Sequence, residues 1–123
     1  MIYLVKIPPD ILKKLYVKDS LKNIEDGFQF ELRNVLADAT IVGPIKISIG
    51  DKDIDPGRIK LVIEENEINS KDISSEKPVI FRIKKVVKIK VKDEKLEPGS
   101  HNIRLETATR EYGNLKQIFE ATV

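Results

Sequence analysis

The chain has 123 residues, 41% of them hydrophobic and 34% charged, which suits one folded domain and is too apolar for a disordered chain. With no Cys and one His, it has no disulfide framework, no thiolate nucleophile, no sulfur-ligated zinc and few ways to build an imidazole metal centre. Lys plus Arg number 22 against 20 Asp plus Glu, a near balance that argues against a dedicated nucleic-acid binder.

Residues 2–7, apolar apart from Lys6, read as a strand or extended arm. The apolar run before Lys6 and Pro8-Pro9 is too short for a signal peptide core or a membrane span, so a cytoplasmic location is expected. Pro8-Pro9-Asp10 opens a short helix, with a carboxylate where the helix dipole favours one. Ile11, Leu12, Leu15 and Tyr16 follow at helical spacing over two turns, too few to stand without packing.

The period then becomes two. Residues 20–24 and 28–32 flank Glu25-Asp26-Gly27, a hairpin signal, and place Phe28, Phe30 and Leu32 on one face with Gln29, Glu31 and Arg33 on the other. A run over 41–49 directs Ile45, Ile47 and Ile49 inward, with Gly43-Pro44 marking a bulge or bend. Turns are expected at 50–53 and 55–57, with a strand over 59–63 between them and the polar segment 64–78. Within that segment Ser70, Asp72 and Ile73 suit a single helical turn. Strands are predicted over 79–83, 86–92, 101–107 and 115–123, with turns at 96–100 and 112–114. About eight short strands at this spacing predict an all-β, immunoglobulin-like antiparallel sandwich over 20–123, preceded by an arm and short helix over 1–19.

Motifs for chemistry are scarce. Asp51-Lys52-Asp53-Ile54-Asp55 resembles the start of a calcium loop, but Pro56 and Val62 stand where the loop needs Gly and Glu, so no metal is expected. His101 is the one candidate general base near neutral pH. Its neighbour Ser100 points to the opposite face of a strand, so the pair cannot form an activated nucleophile. At the start of a strand after a Pro-Gly turn, His101 more simply donates to a turn carbonyl. No Gly-rich phosphate loop occurs and no cofactor is expected.

Residues 71–92 hold eight basic and two acidic side chains, with Lys88, Lys90 and Lys92 alternating along one strand. This reads as a charged sheet edge protected against aggregation, in preference to an anion surface. Phe81 is the sole aromatic there, too little for stacking a single-stranded nucleic acid. In composition, 18 Ile, 17 Lys and 11 Glu against two Gln follow the hyperthermophile trend and equally an AT-rich genome.

Three stretches carry a family resemblance: Gly27-Phe28-Gln29-Phe30-Glu31-Leu32-Arg33-Asn34, Gly43-Pro44-Ile45-Lys46-Ile47-Ser48-Ile49-Gly50 with Ile54, and Leu96-Glu97-Pro98-Gly99-Ser100-His101-Asn102-Ile103. In order and spacing they resemble the small β subunit of C-glycoside deglycosidases, over residues 20–123. The resemblance implies an accessory sandwich beside a metal-dependent barrel subunit that holds the catalytic residues. The functional expectation is therefore a non-catalytic assembly protein, a homo-oligomer or the partner of a larger subunit. Its contact surface is expected at Ile2, Leu4, Ile11, Leu15 and Tyr16. The alternatives are a carbohydrate- or small-molecule-binding sandwich, or an enzyme using His101 with Glu97 or Glu106.

Overall fold

The computed structural model describes residues 9–123. A four-residue helix, α1 (Pro9–Leu12), runs into a 3-10 turn at Lys13–Leu15. Eleven strands follow: β1 (Lys22–Ile24), β2 (Gly27–Arg33), β3 (Ala39–Ile41), β4 (Lys46–Ile49), β5 (Lys52–Ile54), β6 (Ile59–Ile63), β7 (Asn66–Asn69), β8 (Val79–Phe81), β9 (Val86–Lys92), β10 (Ser100–Thr109) and β11 (Gly113–Thr122). They form two antiparallel sheets, the all-β sandwich expected from the alternation. The first sheet has the order β1-β2-β9-β6-β7. In the second, β10 is flanked by β11 on one side and by β4 and β3 on the other, with β5 beyond β4 and β8 beyond β3.

Phe28, Phe30 and Leu32, and Ile45 and Ile47, are buried as the alternation predicts, while Ile49 is only partly buried. Phe28, Phe30 and Leu32 from β2, Ile59 and Leu61 from β6, and Val87, Ile89 and Val91 from β9 meet Ile47, Ile103, Leu105 and Phe119 of the second sheet. Where the chain enters the sandwich, Tyr16 stacks on Phe119 with ring centroids 4.7 Å apart, and Phe30 meets Phe119 edge-on at 5.6 Å. Aromatic pairs at such distances add about 0.5–1.5 kcal/mol beyond the area they bury. The cluster ties the amino-terminal segment to both sheets at once, and Val17 N–H, donating to Glu31 O, fixes its register along β2.

Several expectations need correction. The run over 41–49 is two strands, β3 and β4, because Gly43-Pro44 interrupts it, and both halves pair with β10. β5 lies where a turn was expected, and β7 lies inside the polar segment 64–78. Both are sheet margins whose outward residues are polar, so they lack the apolar alternation that marks a strand. β6 turns into β7 through Glu64 and Glu65, both at positive φ (48° and 72°), the conformation that Asn-Gly normally supplies in a two-residue hairpin. The largest correction concerns β9. It is the middle strand of its sheet, hydrogen-bonded to β2 and β6, so its lysines do not guard an edge.

Two buried polar side chains hold the loops. Asn34 Nδ2 donates to Ala37 O (2.7 Å) and Phe81 O (2.8 Å), while its Oδ1 accepts from Leu36 N and Ala37 N. Ser70 is fully buried; its Oγ donates to Ile45 O (2.9 Å) and accepts from Ile45 N (2.7 Å). That exchange satisfies the backbone next to the Gly43-Pro44 break, where strand pairing has lapsed.

Candidate anion-binding face

Strand alternation puts Lys88, Lys90 and Lys92 on the outer face of the first sheet, because Val87, Ile89 and Val91 face the core. Register then decides their neighbours. Lys22 lies opposite Gln29, Gln29 opposite Lys90, Lys90 opposite Lys60, and Lys60 opposite Asn69. The next row runs Glu31, Lys88, Val62, Glu67. With neighbouring strands about 4.8 Å apart, Lys90 and Lys60 sit side by side.

Lys60 Nζ pairs with Glu67 Oε1 at 3.0 Å, and the two lysines beside Glu67 hold its carboxyl below the ordinary carboxylate pKa, Lys60 by its hydrogen bond and charge and Lys90 by charge. Among the described residues no carboxylate comes within ion-pair distance of Lys22, Lys88, Lys90 or Lys92. A shallow recess of about 220 Å³ at one end of the face is lined by Arg58, Lys60, Lys90 and Lys92, with Asp26 and Glu67 on its walls. At its rim the nearly buried Asp93 takes Lys52 (3.0 Å) and Arg58 (3.4 Å), which anchors these two cations. Among the described residues the rows of this face carry lysines, Gln29, Asn69, Glu31, Glu67 and Val62 and no aromatic ring, so the face suits phosphate oxygens better than a stacked base.

The sequence-derived candidates lie elsewhere. His101 Nε2 donates to Glu97 O at 2.7 Å, closing the turn before β10. Ser100 turns away and its hydroxyl bonds to Glu120. Glu106 pairs with Lys116 across the β10–β11 ladder. The carboxylates of the calcium-like stretch diverge: Asp53 accepts from Ser48 Oγ (2.6 Å), and Asp55 caps the turn at Gly57 N (2.8 Å). Among the described residues, no three His, Asp or Glu side chains converge on a common point. Of the proposed contact surface, Ile2 and Leu4 lie outside the described residues. Leu15 and Tyr16 pack against the sandwich's own core, with Leu12 buried and Ile11 half-buried beside them.

Reading the sequence missed this face because it needed Lys22 and Lys60, which come from strands remote in the chain. The signal that pointed toward it was the alternation of Lys88, Lys90 and Lys92 itself.

No helix among the described residues is long and apolar enough to cross a membrane. No characterised protein matches the chain. The family model for the hydroxymethylglutaryl-CoA reductase N-terminal domain matches residues 11–123, which overturns the resemblance to a C-glycoside deglycosidase subunit and the accessory function and alternatives considered with it. The stretches behind that resemblance answer to folding needs: Gly27 passes against the β9 backbone, Asn34 pins a loop, and Gly99 takes a positive φ of 123°. They are demands of a sandwich rather than marks of one family. The match covers the whole described sandwich, and the chain belongs to the hydroxymethylglutaryl-CoA reductase N-terminal domain family.

Proposed function

We propose that the chain serves as the amino-terminal β-sandwich domain of a hydroxymethylglutaryl-CoA reductase, and that its cationic face receives the phosphate groups of the CoA thioester. The observation that carries the reading is the family match over residues 11–123. The CoA part of such a substrate is a phosphate-bearing polyanion. Lys22, Lys60, Lys88, Lys90 and Lys92 on one flat face supply the opposite charge, with Arg58 at the recess for bidentate contact. Attraction of this exposed kind is screened by salt and acts mainly on encounter and orientation. A reductase also draws electrons from a donor. Among the described residues the longest α-helix has four residues, with no Gly-rich loop before it, so the sandwich lacks a dinucleotide turn of the strand–loop–helix kind.

Affinity purification from the source cells of the protein that carries this domain, tagged in place, followed by assay for reduction of hydroxymethylglutaryl-CoA, tests the reading. Reductase activity enriched above an unrelated sandwich control is expected. A Lys88→Glu/Lys90→Glu chain should return that activity with a raised KM for the CoA thioester. No enrichment would overturn the reductase assignment, and an unchanged KM would overturn the assignment of the cationic face.

A further inference from the structure

β11 ends the second sheet, and among the described residues no strand lies beyond it. It is ten residues long, contains no Pro, and keeps one unbroken register with β10. Val123 N–H donates to Gly99 O (2.9 Å) and Val123 O accepts from Gly99 N (3.2 Å). Backbone direction alternates along a strand, so the odd-numbered residues of β11 turn their N–H and C=O toward β10 and the even-numbered ones turn theirs outward. An edge of this length without bulge or Pro is a template for another strand.

The side chains of the same even-numbered residues stand exposed on the outer face of the sheet: Asn114, Lys116, Ile118, Glu120 and Thr122. Ile118, at the centre, is 44% exposed. On the inner face of β11 Phe119 carries Tyr16, and the first helical turns also contact the strand.

We propose that two copies of the chain join β11 to β11, antiparallel, about a twofold axis through Ile118. That register sets Ile118 opposite Ile118 of the partner subunit. It sets Lys116 opposite Glu120 of the partner subunit and, by symmetry, Glu120 opposite Lys116 of the partner subunit. Asn114 falls opposite Thr122 of the partner subunit at each end. Every outward-facing backbone group in this stretch gains a ladder partner, and the two second sheets become one continuous sheet. Centring the axis on Lys116 or on Glu120 instead places like charges face to face, which opposes pairing. The strand is thus complementary to itself in the register that also stacks its exposed isoleucine. This contact is independent of the reductase assignment and uses none of the cationic face.

The test uses the full chain, which has no cysteine of its own. Directly opposed residues of a hydrogen-bonded antiparallel pair have Cα atoms about 5.5 Å apart, a span that a disulfide bridges. Ile118→Cys should therefore form a covalent dimer under mild oxidant, far faster than Lys60→Cys on the opposite sheet. By light scattering, wild type should show a concentration-dependent dimer. Because Lys116 already pairs with Glu106 of its own chain, the reversals are made in a Glu106→Gln background, where Lys116→Glu or Glu120→Lys alone should weaken the dimer about tenfold or more by putting two like pairs in contact, and the double exchange should restore it. A melting curve on each variant separates lost contact from lost fold, and the cysteine pair carries the test if a single reversal does not fold. A monomer at every concentration, a dimer indifferent to both reversals, or equal cross-linking at Lys60→Cys would overturn the proposal.

Discussion

Ser70→Ala removes one oxygen from a fully buried site, and its cost can be worked out from what that oxygen holds. Ser70 Oγ is both acceptor for Ile45 N and donor to Ile45 O. Ile45 is itself buried, so water cannot replace the lost partner without opening the core. Leaving a buried polar group unsatisfied costs about 1–3 kcal/mol, and two are orphaned here, so the expected loss is about 2–4 kcal/mol. For a domain of this size that lowers Tm by roughly 10 °C, read by calorimetry or by chemical denaturation with unchanged m. Ser74→Ala, which removes an exposed cap on Lys77 N, is the matched control and should cost about 0.5–1 kcal/mol. The Ile45 amide should also exchange with solvent much faster in Ser70→Ala. A loss under about 1 kcal/mol with Ile45 still protected would refute the view that this hydroxyl replaces lapsed strand pairing.

Gly27→Ala would put a Cβ 1.9 Å from Val91 O and 2.9 Å from Asp93 N, both backbone atoms at the end of the central strand. A loss of about 3 kcal/mol or more in denaturant titration is expected, and a near-neutral result would mean that this hairpin is placed wrongly. Glu65→Gly should stabilise the chain by about 1 kcal/mol in the same assay, because Glu65 sits at φ 72° and the ion pair of Glu64 with Lys85 is untouched. For Glu111, burial raises the carboxyl pKa, but hydrogen bonds from the Thr40 hydroxyl, the Thr40 amide and its own amide outweigh it and leave the pKa below 4.5. A lowered folded-state pKa means that the stabilisation is complete above about pH 4.5 and lost as pH falls toward the folded value, so wild type should lose Tm in acid and Glu111→Gln should lose less over that range.

Period-two alternation in the sequence is enough to say which residues of β2, β4, β6, β9 and β10 face the core, because a strand that buries one face must place apolar side chains at every second position. The helical spacing of Leu12, Leu15 and Tyr16 likewise implied that one side of the first turns needs cover. Turn chemistry marked Gly43-Pro44 as a bulge or bend, short of the full break between β3 and β4, and placed the turn at Pro98-Gly99. None of this says which strand lies beside which, since alternation is local and pairing joins distant segments. Only the tertiary structure sets β9 at the middle of its sheet, with Lys90 between Gln29 and Lys60, and so turns a presumed protected edge into a cationic face. It alone leaves β11 at the end of its sheet and supplies Ser70 and Asn34 with their distant backbone partners. The physical reason is the same each time: a side chain's face is set by its own strand, whereas its neighbours, and with them its chemistry, are set by hydrogen bonds to chain far away in sequence.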